Sequence, residues 1–267
     1  MKNLLLNFFS GDDIFKSIDL KIYQKSLEKI KNIDKVAFVK DVSKENLKYI
    51  ENNYQYVVPT NIHFYYIFFE FYFFLRDLDV DYNYIMYMDT RDVIIQKDPF
   101  EYMQSRPDKR MFFACEGMKV IENDVNYTWN HHLRSTEALP HTFYEKLDVV
   151  NGGTIGGKKE DLLYVYLLAL TNTNRKCDGP ITDQAIYSLM SVLMENFKQV
   201  EFCHPLKDNY CVTGEAVKRN NIKMQMIDGL ACNMQGEPYH LFHQWDRTEF
   251  ADEIRERFRA ENEELAN

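Results

Sequence analysis

The sequence predicts an α/β fold, a single Rossmann-like domain with a mostly parallel central sheet flanked by helices. Apolar runs of strand length alternate with segments of helical periodicity, which is the order that produces βαβ units. The chain has 267 residues, 45% of them hydrophobic, and this is enough for one large core. It contains no internal repeat or proline-rich linker. We therefore expect one domain over residues 1–248, followed by a charged C-terminal helix over residues 249–267.

The first third of the chain alternates strands and helices most clearly. KNLLLNFF predicts a buried strand, and IDLKIYQKSLEKIKNI has the apolar spacing of a helix. KVAFVKD predicts a second strand, SKENLKYIENN a short helix with Ser43 as its N-cap, and YQYVVPT a third strand. This alternation predicts parallel strands with helices on both faces of the sheet.

An aromatic segment, NIHFYYIFFEFYFFLRD, comes next and has to be distinguished from a membrane span. Its apolar stretch over residues 62–75 is 14 residues long and contains His63 and Glu70. A span needs about 20 apolar residues, so we predict a helix packed against the sheet and no transmembrane segment. The N-terminal MKNLLLNFFSGDD has a short apolar run and no small-residue cleavage site, so no signal peptide is expected.

The rest of the chain continues the alternation. YIMYMD predicts a strand that ends at Asp89, and RMFFACEG predicts another, whereas residues 118–147 are polar-aromatic and predicted to be irregular. LDVVNGGTIGGKKEDLLYVYLLALTN predicts a strand, a glycine turn and a helix. GPITDQAIYSLMSVLMENF predicts a helix and KQVEFCHPL a strand. The closing EFADEIRERFRAENEELAN predicts a helix whose solvated face carries pairs such as Glu253–Arg257.

Composition excludes some classes of function. The net charge of −9 and the pI of about 5.3 argue against a nucleic-acid-binding protein, which needs a basic surface. The five cysteines are scattered and form no C-x-x-C pair, which fits buried thiols in a reducing, cytoplasmic setting better than disulfides or a zinc site. They are Cys115, Cys177, Cys203, Cys211 and Cys232.

The stretch YIMYMDTRDVIIQKDPF brings Asp89, Arg91 and Asp92 to the end of a strand, where ligands bind in open α/β sheets. Two carboxylates three residues apart at such a turn can converge on a hard divalent cation. A cation held there can bind a diphosphate and stabilise its charge. The other interpretation is a salt-bridged turn, with Arg91 paired to Asp92 and Asp98 capping a helix before Pro99.

Three further segments carry candidate site residues. VVNGGTIGG places Asn151 and two glycine pairs at a strand end, where backbone can approach a ligand and an amide can bind sugar hydroxyls, although a plain tight turn explains it equally. TDQ places Asp183 in the first turn of a helix, where the helix dipole alone favours an acid. LFHQWDR places His243 late in the chain, either as a structural histidine or as the third ligand of a two-carboxylate metal site.

In this order the segments resemble GT-A type glycosyltransferases, in those members whose metal motif is spaced D-x-x-D. The pattern D-x-R-D-V…Q-x-D-P-F, N-G-G, D-Q and H-Q-x-D-R extends the resemblance over residues 1–247. The sugar-transferring domains of collagen lysyl hydroxylases have a similar arrangement of two aspartates and a distant histidine. The resemblance implies a GT-A fold and transfer of a sugar from a nucleoside diphosphate, by default UDP, to a hydroxyl of a glycan or protein acceptor. It also favours retention of anomeric configuration.

The same resemblance implies roles for individual residues. Asp89, Asp92 and His243 would bind Mn²⁺ or Mg²⁺. Phe9 and Ser10 would lie against the nucleoside, and Arg91 would steady the motif or the donor. Asn151, Gly152 and Gly153 would line the sugar and acceptor side, with Asp183 near the anomeric carbon as the catalytic residue. Asp246 and Arg247 would support the diphosphate. Apart from the resemblance, the aromatic residues of segment 129–132, such as Trp129, suit stacking on an acceptor sugar, although an ordinary surface loop is the simpler explanation of these residues taken alone.

Two departures from the family pattern bear on these roles. The commoner D-x-D metal spacing is absent because position 91 is arginine, which affects whether Asp92 binds the metal directly. Thr182 also stands where a second acid usually precedes the aspartate, which affects the catalytic role of Asp183.

Three other functions compete with sugar transfer as interpretations of this sequence. A phosphohydrolase with Asp89 as nucleophile would want an acid at position 91, and a nucleotidyltransferase would want a basic glycine-rich loop where FFSGDD is acidic. A non-catalytic nucleotide-sugar or glycan-binding protein on the same scaffold stays open, as does the oligomeric state.

Overall fold

The computed structural model describes residues 1–133, 141–172, 182–194, 197–219 and 222–262. The strands described are β1 (Asn3–Ser10), β2 (Ile33–Lys40), β3 (Tyr56–Pro59), β4 (Ile85–Met88), β5 (Val93–Ile95), β6 (Met111–Lys119), β7 (Asp148–Gly157), β8 (Val200–Cys203), β9 (Cys211–Thr213), β10 (Gln225–Ile227), β11 (Leu230–Cys232) and β12 (Leu241–His243). The helices are α1 (Ile18–Ser26), α2 (Lys44–Asn53), α3 (Phe68–Asp77), α4 (Pro99–Gln104), α5 (Asp124–Leu133), α6 (His141–Tyr144), α7 (Lys159–Asn172), α8 (Thr182–Leu193), α9 (Gly214–Lys218) and α10 (Ala251–Glu261).

A seven-stranded sheet with the order β3-β2-β1-β4-β7-β6-β8 forms the centre of the fold. Its neighbouring strands are parallel except at β7, which runs antiparallel to both β4 and β6. The predicted α/β fold with a mostly parallel sheet is therefore confirmed. The alternate residues of β1 divide between two cores, because successive side chains point to opposite faces: Leu4 and Leu6 belong to one, Leu5 and Phe9 to the other.

A smaller sheet with the order β5-β12-β9 lies beside the first. β12 pairs with β5 antiparallel and with β9 parallel, which joins the chain just after the acidic pair to the chain near its C-terminus. The hairpin β10–β11 is tied to this sheet by Gln96, whose Nε2 donates to the carbonyls of Ala231 and Tyr239 at 3.0 and 2.9 Å. The Gln96 Oε1 accepts from the Ala231 N–H in return.

Several local predictions are confirmed. Ser43 caps α2 by accepting a hydrogen bond from the backbone N–H of Asn46 at 3.3 Å. The aromatic segment forms α3, preceded by a short 3₁₀ turn, and packs against α7. In the part of the chain that the structure describes, no helix has the length and apolar character to cross a bilayer. The four cysteines that lie in this part are buried free thiols, and Cys177 lies outside it.

Two predictions about the middle of the chain are wrong. The glycines of VVNGGTIGG form no turn, because β7 runs unbroken through them from Asp148 to Gly157. Residues 118–147 are not irregular throughout, because they include α5 and α6. In a sequence, paired glycines usually indicate a turn. Here they lie within a strand, where the absence of a side chain lets other groups pack closely against the backbone.

The charged C-terminal helix is present as α10, although one predicted pairing differs. Arg257 pairs with Glu261 at 2.7 Å instead of Glu253, and it also donates to the carbonyl of Asp228. Arg255 joins α10 to α1 through two hydrogen bonds to Asp19. The boundary between residues 1–248 and 249–267 stays a prediction, and residues 263–267 lie outside the described part of the chain.

One buried polar residue links β1 to three parts of the fold. Asn7 has no exposed surface and donates from Nδ2 to the hydroxyl of Tyr23 and the carbonyl of Met88, both at 2.7 Å. Its Oδ1 accepts from the hydroxyl of Tyr54 at 3.0 Å. Every polar atom of the amide thus has a partner, which is what makes its burial tolerable.

We expect Asn7→Ala to lower the free energy of unfolding by about 2–4 kcal/mol, because it leaves two buried hydroxyls and one carbonyl without a partner. Urea denaturation measures the change. Asn53→Ala, at an exposed position of α2, serves as control and should change stability by less than about 0.5 kcal/mol. Equal stabilities of the two variants would show that the Asn7 network contributes little.

Candidate functional site

A cleft of about 350 Å³ lies where the two sheets meet. Its floor holds Asp89, which follows β4, Asp92, which precedes β5, and His243, the last residue of β12. The pairing of β12 with β5 places His243 opposite Val93, next to Asp92. Asp89 is placed by the large sheet, because its N–H donates to the carbonyl of Gly153 at 3.0 Å and extends the β4–β7 ladder.

The three side chains predicted to meet do meet. His243 Nε2 lies 3.3 Å from Asp89 Oδ2 and 3.4 Å from Asp92 Oδ1, and one ligand atom from each residue falls within 4.8 Å of the others. Of the alternative interpretation, a salt-bridged turn, only one part is observed. Asp98 does cap α4 by accepting from the N–H of Phe100, but the ion pair of Arg91 goes elsewhere.

Gly153 makes this convergence sterically feasible. A Cβ at this position would lie 2.3 Å from Asp89 Oδ2 and 2.4 Å from His243 Cε1, closer than carbon atoms in proteins approach. The neighbouring Gly152 faces a different group, because a Cβ there would lie 3.2 Å from Asp183 Oδ2. The two glycines therefore leave room for two separate parts of the site.

The imidazole of His243 is oriented by Asn151. The Asn151 Oδ1 accepts from the Gly153 N–H at 2.9 Å and lies 2.8 Å from His243 Nδ1, while its Nδ2 donates to Glu116 at 3.1 Å. Because the Asn151 oxygen is fixed as an acceptor, His243 must carry a proton on Nδ1. Its Nε2 then faces the two carboxylates, which is the tautomer that binds metals.

The donor set fits a hard divalent cation. Two carboxylates and one imidazole are ligands suited to Mn²⁺ or Mg²⁺. His243 Nε2 is buried and has no hydrogen-bond partner among the described residues. Neighbouring octahedral ligands about 2.1 Å from such an ion lie about 3 Å apart, close to the separations found here. The residues could therefore hold a metal, and which metal binds stays a prediction.

Charge at this point is strongly coupled. Burial would lower the pKa of His243, but Asp92 and Asp89 outweigh it and raise the pKa to about 10. Burial would raise the pKa of Asp92, but His243, with smaller help from Arg91 and Arg247, lowers it to about 2. The Asp92 carboxylate therefore depends on a positive partner here, which is either the imidazolium or a bound cation.

Asp89 is also held from its other side. The hydroxyl of Tyr87 donates to Asp89 Oδ1 at 2.6 Å, so Oδ2 is the oxygen left to face His243. Tyr87 lies on β4 two positions before Asp89, so the two side chains point to the same face of the strand. The side chain of Asp89 is 36% exposed, so the group opens to the cleft at this residue.

Asp183 stands on the wall of the cleft at the start of α8. Its Oδ1 accepts from the N–H of Gln184 at 2.7 Å, and Oδ2 lies against Gly152. Burial raises the pKa of Asp183 to about 7. A carboxylate with a pKa in this range can accept or release a proton near neutral pH.

The other predicted site residues are distributed unevenly. Arg247 lines the cleft and approaches Asp92 to 3.8 Å, while Arg91 is half exposed and pairs with Asp246 at 3.6 Å. Ser10 is exposed at the end of β1. Phe9 has no exposed surface and packs against Phe15 and Tyr54, so its predicted contact with a nucleoside finds no support.

Sequence reasoning missed several residues of the cleft. Glu116, Tyr87 and Arg219 line it, and none belongs to a recognisable motif. Alternation on β4 would have pointed to Tyr87, because Tyr87 and Asp89 share one face of the strand. No sequence signal identifies Glu116, whose contacts with Asn151 and Gln184 span 35 and 68 positions of the chain.

No protein-family profile matches the sequence, and no curated protein matches it. Solved structures do match. A structure of an active-site mutant of LgtC has a TM-score of 0.58 and 11% identity, over 97% of this chain and 95% of that chain. A structure of galactosyltransferase LgtC in complex with donor and acceptor sugar analogues has a TM-score of 0.55 and 13% identity, over 95% of both chains. At this identity the likeness establishes the fold, and the predicted GT-A fold is confirmed.

We expect Gly153→Ala to abolish Mn²⁺ binding, because its methyl group would occupy the space of Asp89 and His243. Isothermal titration calorimetry on the chelator-treated protein measures the affinity. Gly152→Ala is the matched control, since it crowds Asp183 and leaves the cation group untouched. Equal Mn²⁺ affinities of both variants would contradict the assignment of this group as the metal site.

We expect Asp183→Asn to stabilise the protein at pH 8 by about 1–3 kcal/mol. The pKa of Asp183 is raised from 3.8 to about 7 on folding, so the wild type loses stability as pH rises through this window, and the asparagine variant does not. The difference should shrink towards pH 5. Urea denaturation in chelator at pH 5, 6.5 and 8 measures it, with the exposed Asp79→Asn as control. A pH-independent difference would contradict the raised pKa.

Proposed function

We propose that this protein is a metal-dependent glycosyltransferase that moves a sugar from a nucleoside diphosphate, by default UDP, to a hydroxyl of an acceptor. The observation that carries the proposal is the convergence of Asp89, Asp92 and His243 in the cleft of a GT-A fold. A galactosyltransferase of the same fold has been solved with donor and acceptor sugar analogues, which supports the same general chemistry here. The narrower similarity to collagen lysyl hydroxylase domains stays a prediction.

Asp89, Asp92 and His243 would hold Mn²⁺ or Mg²⁺, which when bound supplies Lewis-acid stabilisation to a departing diphosphate. The guanidinium of Arg247 lies next to this group, 3.8 Å from Asp92, and the side chain is 44% exposed. A guanidinium can bind phosphate oxygens in a bidentate manner. We therefore assign the diphosphate to the part of the cleft between the cation group and Arg247.

The reacting carbon of the sugar then belongs beside Gly152 and Asp183. Gly153 adjoins the cation group and Gly152 adjoins Asp183. In this proposal the donor therefore extends from its diphosphate beside Gly153 to its sugar beside Gly152. If configuration inverts, Asp183 is the general base that accepts the proton of the acceptor hydroxyl, a role that its raised pKa suits. If configuration is retained, which the resemblance favours, Asp183 contacts the sugar and stabilises positive charge developing on its ring.

We expect Asp89→Asn to reduce UDP release from UDP-sugars by at least about 100-fold, because it removes one anionic ligand of the cation. A coupled assay of UDP release over a panel of UDP-sugars with Mn²⁺ measures this, and excess chelator should reduce the wild-type rate to a similar extent. The exposed Asp79→Asn is the control.

Full turnover in chelator, or by Asp89→Asn, would refute metal-dependent transfer. Mn²⁺-dependent binding of UDP-sugars without turnover, over a broad acceptor panel, would indicate the non-catalytic sugar-binding protein instead. Thermal stabilisation by individual UDP-sugars detects such binding and identifies the donor.

A further inference from the structure

The wall of the cleft formed by α5 combines an apolar surface with a buried amide. Val125 and Trp129 line the cleft from this helix, and Phe64 lines it from the 3₁₀ turn before α3. Val125 and Phe64 are 45% and 46% exposed, which is high for apolar side chains at a cleft. Between Val125 and Trp129, Asn126 is only 3% exposed and also lines the cleft.

A hydrogen-bond network fixes the orientation of the polar groups behind this surface. Glu116 on β6 accepts from the Nε2 of Gln184 at 3.4 Å, and the same Nε2 donates to Asn126 Oδ1 at 2.9 Å. A carboxylate can only accept, so Gln184 must turn its NH₂ group towards Glu116 and Asn126. Asn126 must then turn its oxygen towards Gln184 and its NH₂ group away from it.

This orientation leaves polar atoms available to a ligand. Among the described residues, no group bonds to the NH₂ of Asn126, to the Oε1 of Gln184 or to the second oxygen of Glu116. The three residues line the cleft, so it offers one donor and two acceptors that their neighbours hold in place. Hydroxyl groups, which both donate and accept, match such a set.

The apolar surface and the polar set together match a pyranose ring. One face of such a ring consists of C–H groups, which pack on an aromatic side chain such as Trp129, and its edge carries hydroxyls. Trp129 is partly buried and packs against the hydrophobic core, which restricts its indole before a ligand binds. Glu116 and Asp183 place carboxyl groups nearby, which disfavours an acidic sugar.

The contacts along the cleft place this wall relative to the donor diphosphate. A Cβ added at Gly153 would meet the cation group and one added at Gly152 would meet Asp183, while Gln184, next in sequence to Asp183, donates to Asn126. The α5 wall therefore adjoins Asp183 through Gln184, and it is connected to the cation group through the buried contacts of Glu116 with Asn151 and of Asn151 with His243. Because the diphosphate is assigned to the side of Arg247, a ligand on this wall is assigned to the acceptor side of the reacting carbon.

On these grounds we propose that the α5 wall is the acceptor subsite, and that the acceptor is a glycan ending in a neutral pyranose, stacked on Trp129 and hydrogen-bonded by Asn126. The proposal rests on the proposed glycosyltransferase function, and it chooses between the glycan and protein acceptors left open there. A polypeptide could meet the polar set through its backbone amides, so the aromatic surface of Trp129 is what favours a glycan, because a pyranose combines a face of C–H groups with hydroxyls at its edge.

The first test uses tryptophan fluorescence, which needs no turnover. The chain has two tryptophans, and Trp245 has no exposed surface, so a ligand-dependent change reports on Trp129. The probes are methyl α- and β-pyranosides of neutral hexoses, lactose, methyl glucuronide, sialic acid, and a serine-containing peptide, each with Mn²⁺ and UDP present. We expect neutral pyranosides alone to give saturable changes, and Trp129→Leu to abolish them.

The second test measures how acceptors stimulate UDP release. Asn126→Asp keeps the oxygen that Gln184 needs but replaces the free donor by an acceptor, and Trp129→Leu removes the aromatic face. Each should raise the acceptor KM by about tenfold or more, and so lower the acceptor-dependent rate relative to the acceptor-independent rate. Thr128→Ala, at an exposed position of α5, should change neither rate, and Trp129→Phe should fall between wild type and leucine.

The outcomes separate this proposal from the proposed function. UDP-sugar turnover stimulated only by the peptide or by the acidic sugars would overturn the acceptor assignment and leave the glycosyltransferase intact. An equal loss of acceptor-dependent and acceptor-independent rates in both variants would also overturn it, by placing α5 at the donor. Pyranoside-dependent fluorescence that is lost in Trp129→Leu, without any UDP-sugar turnover, would support a glycan subsite while refuting the transferase.

Discussion

Two carboxylates meet one imidazole at a largely buried point between two sheets, and the neighbouring residues compensate for the close approach of these charged groups. Like charges in such a place are expensive unless positive charge and fixed hydrogen bonds compensate them. Asn151 sets the proton of His243, Tyr87 occupies the second oxygen of Asp89, and Gly153 provides the space. The arrangement holds two carboxylates and one imidazole close enough together to bind a cation, and the proposed chemistry requires such a site.

The fold alone does not specify that chemistry, since one fold can host many functions. The likeness to LgtC at 11% and 13% identity extends over nearly the whole chain and concerns its architecture. The site carries the functional conclusion, because its acids, imidazole and guanidinium come from separate elements and converge in one cleft. The amide of Asn126 and the indole of Trp129 on α5 then determine which acceptor we expect this cleft to bind.

Sequence reasoning succeeded where the signal was local or where position along a strand decided it. Strands β1 to β4 were visible as apolar runs, and Ser43 as a cap, because both depend on a few neighbouring residues. The meeting of Asp89, Asp92 and His243 was predictable from strand ends together with a family resemblance. Gly153 was misread as part of a turn, because its true role is to admit side chains from two other strands. Glu116 escaped notice since its partners are distant in sequence.

The cation group lies on the seam between the two sheets, with Asp89 fixed by the large one and Asp92 and His243 by the small one. An ion bound there would act as a staple across that seam. Its departure would leave the small sheet and its hairpin attached by fewer links, so this region would open more readily than the rest of the fold. Occupancy of the site and the stability of this region would then rise and fall together.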